Sequence, residues 1–98
     1  MQITEKQRRH LRGLAHPLKP VVLIGNAGVS EGVVAETRRA LLDHELIKVR
    51  LPGLPREDRD AALADLAIRT DSALVGRIGH VAILYRPNPD LARIVLPA

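Results

Sequence analysis

Helix-forming and strand-forming stretches take turns along this chain, and that alternation limits its architecture more than any other feature. Thr4 followed by Gln7 has the form of a capping box, and Glu5–Ala15 then carries Leu11, Leu14 and Ala15 at helical spacing, with Ile3 placed to close over the first turns. His16-Pro17-Leu18-Lys19-Pro20 ends that helix, because each proline disfavours helix in the residue before it. Residues 21–24 read as a short buried strand. Ser30 is placed to cap a second helix, Glu31–His44, whose Val33, Val34, Thr37, Leu41 and His44 recur at three- and four-residue steps. Residues 46–51 alternate instead, with Ile47, Val49 and Leu51 on one face and Lys48 and Arg50 on the other. After the loop Pro52-Gly53-Leu54-Pro55, a third helix, Arg56–Thr70, turns Ala62, Leu63, Leu66, Ala67 and Thr70 inward. Two strands, residues 73–78 and 81–86, flank Gly79-His80, which fits a two-residue hairpin with glycine first. Residues 94–96 read as a last short strand or as a packed tail. The order α-β-α-β-α-β-β, with one-sided strands, predicts an α/β two-layer sandwich formed as a single domain over residues 1–98.

The core of that sandwich must be aliphatic. The chain has 15 Leu, 9 Val and 7 Ile, but its only aromatic residue is Tyr85. The same shortage disfavours readers of single strands that stack bases on aromatic platforms. With no cysteine there are no disulfides, thiolate metal sites or thiol nucleophiles, a composition at home in a reducing cytoplasm. No apolar run approaches the roughly 20 residues a bilayer demands, and the polar N-terminus has no secretion-signal pattern. A cytoplasmic protein with no membrane partner is expected. The charge is unevenly placed: Lys6, Arg8, Arg9, Arg12 and Lys19 oppose only Glu5, so the first twenty residues carry the entire net charge of +4. A positive charge gathered in this way points to a polyanion as partner, although solubility alone also accounts for a modest positive charge.

One local pattern supplies a chemical reason for such a partner. Gly25-Asn26-Ala27-Gly28 joins a strand to a helix, and glycines there bring peptide N–H groups close to a ligand. The helix that follows begins with unpaired N–H groups and a partial positive charge, which together suit a phosphate oxygen. The KH domain uses a GxxG loop of this kind to clamp an RNA backbone. Alone the pattern is weak, since strand-to-helix turns use glycine constantly. It is neither a Walker loop, because no Gly-Lys-Ser/Thr follows, nor a dinucleotide fingerprint. The arginines of the first helix extend a phosphate track if that helix lies beside the strand delivering the loop; otherwise they form a solvated face.

Catalytic chemistry is not expected. His10, His16, His44 and His80 lack metal-binding spacing, and Ser30 and Ser72, the only serines, lack a nucleophile surround. His16 reads as a packed loop residue and His44 as a partner of its helix dipole. Asp58, Asp60 and Asp65 alternate with Arg56, Arg59 and Arg69 as a surface charge lattice. The sequence therefore predicts no enzyme, no cofactor and no metal, and it implies no obligate oligomer while leaving the oligomeric state open.

Several motifs taken together resemble the YhbY family, stand-alone bacterial forms of the CRM (chloroplast RNA splicing and ribosome maturation) domain. They are residues 16–22 (HPLKPVV) leading into Ile24-Gly25-Asn26-Ala27-Gly28, then His44-Glu45-Leu46-Ile47-Lys48-Val49, then Leu84-Tyr85-Arg86-Pro87. The resemblance implies a mixed four-stranded sheet packed on helices, similar to the C-terminal domain of translation initiation factor three. It implies binding of ribosomal RNA or pre-large-subunit particles and assistance to ribosome assembly. Carried onto this chain, the contacts are Gly25, Asn26, Ala27, Gly28, Arg8, Arg9, Arg12, Lys19 and Lys48, with Lys6, Arg50, His80 and Arg86 as secondary candidates. One departure stands out: where family members commonly have Gly-Lys in the last hairpin, this chain has Gly79-His80, exchanging a permanent charge for a pH-dependent one. The competing reading is a protein–protein adaptor that docks on a ribosomal protein through Lys48, Arg50 and an open sheet face.

Overall fold

The structure is a computed structural model describing every residue from Met1 to Ala98. Its elements run α1 (Glu5–Ala15), β1 (Pro20–Leu23), α2 (Glu31–His44), β2 (Leu46–Arg50), α3 (Arg56–Thr70), β3 (Ala73–Ile78) and β4 (Val81–Tyr85). The helix starts follow the expected local chemistry. Thr4 and Gln7 exchange both bonds of the capping box at 3.0 and 3.1 Å, and Ser30 Oγ accepts from the Val33 amide at 3.2 Å. α3 opens instead on Pro55, which offers no side-chain cap.

The strands form one mixed sheet in the order β1-β2-β4-β3. β1 and β2 are parallel neighbours joined through α2, while β4 is antiparallel to both β2 and β3. This topology brings the C-terminal ends of β1, β2 and β3 and the start of β4 to the same end of the sheet.

Alternating side chains divide the core in two. Val22, Ile47, Val49, Ala82 and Leu84 face α2 and α3, meeting Val34, Leu41, Leu63, Leu66 and Ala67. This is the two-layer sandwich the alternation predicts. On the opposite face, Leu46, Val75, Ile83 and Tyr85 meet Leu11 and Ala15 of α1, with Ile3, Ile94 and Leu96 packed at the margin. α1 therefore covers part of the sheet face expected to be open. It lies on β2, β3 and β4.

The C-terminal tail is a packed segment, with no strand at residues 94–96. It is held by Glu45, a fully buried carboxylate at the end of α2. Glu45 accepts hydrogen bonds from the amides of Asn88 (2.6 Å), Arg93 (2.9 Å) and Ile94 (2.9 Å). Arg93 then donates to the Leu42 and Asp43 carbonyls at 3.1 and 2.7 Å, satisfying the orphan end of α2. Two expectations fail locally. Leu14 and His16 are both exposed, because α1 buries only the stripe through Leu11 and Ala15.

Candidate nucleic-acid interface

The Gly25–Gly28 segment forms a tight turn closed by Gly28 N–H donating to the Gly25 carbonyl at 3.0 Å. Gly28 holds φ +77°, a left-handed conformation that explains glycine at this position; Gly25 has no such constraint and faces open space. Gly25, Asn26 and Ala27 are exposed and Gly28 is half-buried. The amides of Asn26 and Ala27 have no acceptor within the protein, nor do those of Glu31 and Gly32 in the first turn of α2. Four backbone donors on exposed residues, two in the bend and two at the start of α2, are thus left without a protein acceptor, a set suited to phosphate oxygens.

The turn is braced from behind by α3. Arg69 donates to the Val29 carbonyl at 3.0 Å while pairing with Asp65 at 3.4 Å, and Arg38 donates to the Arg69 carbonyl at 2.6 Å. Arg38 and Arg69 line a groove of about 400 Å³ with Glu31, Val34 and Ala35. Sequence reasoning missed both as neighbours of the loop. Their partners are carbonyls on other elements, and no spacing rule reports such a contact.

The other candidates separate into groups. Arg50 and His80 share the loop's end of the sheet: Leu23 pairs with Arg50, the Ile24 amide donates to the Arg50 carbonyl at 2.8 Å, and the Leu51 amide donates to the His80 carbonyl at 2.7 Å. Arg50 is exposed, and its guanidinium has no hydrogen-bond or ion-pair partner. Lys19 is exposed at the far end of β1. Lys48 donates to the His16 and Leu18 carbonyls at 3.2 and 2.9 Å, so its ammonium pins the linker between α1 and β1. Arg86 follows β4 at the end of the sheet away from the loop.

α1 does not lie beside β1, so its arginines are not assembled with the loop. Arg8 is half-buried and donates to the Leu74 and Val75 carbonyls at 2.7 and 2.6 Å, where the β3–β4 pairing is irregular. Arg12 covers Gly76, where an added Cβ would stand 3.1 Å from its guanidinium. Lys6 and Arg9 are exposed on the same helix. Since β3 and β1 are opposite edges of the sheet, three strand spacings, about 14 Å, separate the β3 residues that Arg8 and Arg12 contact from the strand that carries the loop.

Titration is perturbed at the tail clamp. Burial raises the Glu45 pKa, but bonds from the Asn88, Ile94 and Arg93 amides and the Arg93 charge outweigh it and hold the carboxyl below its ordinary value of 4.5. Burial, with the Glu45 charge adding to it, pushes the Tyr85 phenol above 10.0. No three His, Asp or Glu side chains converge as a metal site, and no helix is long and apolar enough to cross a membrane.

Comparison with known proteins agrees with this architecture. An RNA-binding protein of Haemophilus influenzae is 45% identical over 97% of this chain and 95% of its own length. A protein of Pseudomonas aeruginosa named as a probable RNA-binding protein is 46% identical over 91% of this chain and 86% of its own length. The solution structure of a candidate RNA-binding protein from Staphylococcus aureus superposes with a TM-score of 0.85 at 34% identity, covering 98% of this chain and 100% of that one. The names of these relatives describe binding and no catalysis. The model of the CRS1/YhbY (CRM) domain matches residues 3–86, and the chain belongs to that family.

Proposed function

We propose that this protein binds RNA through the Gly25-Asn26-Ala27-Gly28 turn and the start of α2, and that it acts on ribosomal RNA within precursors of the large ribosomal subunit. The observation that carries the reading is the set of unpaired amides at and just after an exposed, glycine-shaped bend. Family membership and relatives named as RNA-binding proteins support it. Arg50 supplies a free cation beside the bend, and Arg38 and Arg69 add positive charge on its other side. Lys6, Arg9 and Arg12 on α1 provide a second cationic region that a longer or folded RNA reaches, and Lys19 is a separate charge just before β1. Because few side chains can read base edges, phosphate contacts set the affinity.

Binding of purified protein to ribosomal RNA fragments across a salt series tests this. If only the loop end engages, with about two phosphates neutralised, the log–log slope on single strands is about −1.4; if the α1 face joins, with about five, it is about −3.5. Affinity insensitive to salt rejects the mechanism. A folded Gly28→Asp variant should lose affinity by placing a carboxylate against the phosphate; wild-type affinity would clear the loop. Crosslinking in cells, followed by sequencing of the attached RNA, tests the ribosomal assignment. Failure to bind naked ribosomal RNA would instead favour an adaptor that reaches the ribosome through a protein.

A further inference from the structure

We propose that the last cross-strand row of the sheet, Leu23, Arg50, Val81 and Ile78, seats unpaired bases of the RNA strand whose phosphates the glycine turn holds. The inference rests on the RNA-binding reading and adds the chemistry of the ligand: a flexible single strand, recognised by its base faces as well as its backbone. Strand pairing aligns the four residues, since Leu23 opposes Arg50, Arg50 opposes Val81 and Val81 opposes Ile78. Paired residues share a face. Here it is the face that α1 occupies further along the strands, where Leu46, Val75, Ile83 and Tyr85 are buried beneath that helix. No residue of α1 lines the recess beside this row.

The row consequently stays open. Leu23 and Ile78 are each 65% exposed at its two ends, and Val81 is half-buried. Between them Arg50 carries an unpaired guanidinium. Behind the row lies a recess of about 230 Å³ lined by Leu18, Lys19, Lys48, Val81 and Ile83, and no acidic residue borders it. An apolar shelf beside a recess lined by two lysines and no acidic residue suits a ligand that is both anionic and flat-faced. Single-stranded RNA has these properties, whereas a duplex hides its base faces in the stack.

Continuity with the phosphate site fixes the occupant. Leu23 precedes Gly25 by two residues, so a strand whose backbone crosses the turn can lay its bases on the row without a gap. Four strands span about 14 Å, room for several bases. A planar guanidinium stacks on any base, and aliphatic side chains pack against its faces without selecting its identity. Aliphatic groups here perform what aromatic platforms do elsewhere.

The test is fluorescence-anisotropy binding of an oligouridylate and of an equally long strand whose central residues are abasic. Wild type should bind the base-bearing strand about fivefold more tightly, the low end expected for base stacking. The double variant Leu23→Ser, Ile78→Ser alters exposed positions, and circular dichroism checks its fold. It should bind both strands alike, at the wild type's abasic level and with an unchanged salt slope. Arg50→Lys keeps the charge but should lose most of the discrimination. Equal wild-type affinity for both strands overturns the base seat and leaves the phosphate loop intact, whereas no binding to either strand overturns the RNA-binding reading and this proposal with it. A wild-type dimer dissolved by Leu23→Ser would show a second copy on the row, and would also overturn it.

Discussion

Replacing Glu45 by glutamine should unfasten the C-terminal tail and reveal how much of the fold's stability one buried charge carries. The Glu45 carboxylate takes the Arg93 and Ile94 amides on one oxygen, both at 2.9 Å, and the Asn88 amide on the other at 2.6 Å. Glutamine can keep its carbonyl oxygen toward Arg93 and Ile94. Its amino group then meets the Asn88 N–H, donor against donor. The variant thus loses one charge-assisted bond, leaves a buried donor unsatisfied and weakens two further bonds, for a combined loss of about 3 kcal/mol. The backbone adds to the vulnerability, because Glu45 has φ 63° and ψ −44°, a strained conformation that only its surroundings maintain.

Thermal unfolding followed by circular dichroism at pH 7 should show the midpoint lower by about 15 °C, given about 4–8 °C per kcal/mol for a domain of this size. Hydrogen exchange should accelerate first at Asn88, Arg93 and Ile94. The pH dependence gives the decisive sign. The folded-state pKa lies below the ordinary 4.5, so the native state holds fewer protons than the unfolded state in that range. The stabilisation is complete above about pH 4.5 and is lost as pH falls through the lowered native value. The gap between wild type and Glu45→Gln should therefore narrow in acid. A gap of equal size at pH 7 and pH 2.5, or no gap at pH 7, would refute the charge-clamp argument.

Other perturbations separate scaffold from interface. Gly28→Ala meets no steric obstacle but must hold φ +77°, so it should cost about 1 kcal/mol in urea unfolding and weaken RNA binding by loosening the turn. Arg8→Met should lower stability by about 2 kcal/mol by stripping bonds from the Leu74 and Val75 carbonyls, whereas exposed Arg9→Met should leave stability unchanged. Urea midpoints of the two variants compare them directly. Arg69→Gln should release the Val29 carbonyl, seen as faster exchange of loop amides and reduced RNA affinity. Ultraviolet titration should find the Tyr85 phenol above 10.0, and Glu45→Gln should lower that value only in part, because burial is the larger cause.

Most element positions were legible because their causes are local. The capping box, the proline break at residues 16–20 and the Gly79 turn with φ 59° each depend on residues within a few positions of one another. Which sheet face receives α1 is not local. It is decided by β3 and β4, some sixty residues later, whose Val75, Ile83 and Tyr85 provide the surface that Leu11 and Ala15 cover. The condition under which the α1 arginines would extend the loop's phosphate track, α1 lying beside β1, is for that reason not met. Lys48, expected on an open face, instead holds the carbonyls of the linker that follows α1. Charge along the sequence located a basic segment correctly but could not say which cations remain free.

The distinction matters because a cation already bonded to carbonyls is a poorer recruit for phosphate. Arg8, Lys48, Arg38 and Arg69 all donate to backbone oxygens, and drawing them outward would break those bonds at a cost. Arg50 carries no such obligation, and its strand position places it between the phosphate-suited turn and the apolar row. Of the cations nearest the bend, it is the one whose reorientation toward a ligand breaks nothing in the fold. Arg50→Gln should therefore weaken RNA binding more than Arg8→Met does, while leaving the unfolding midpoint unchanged. The reverse ranking in binding and unfolding measurements would move the interface to α1 and remove the free-cation argument.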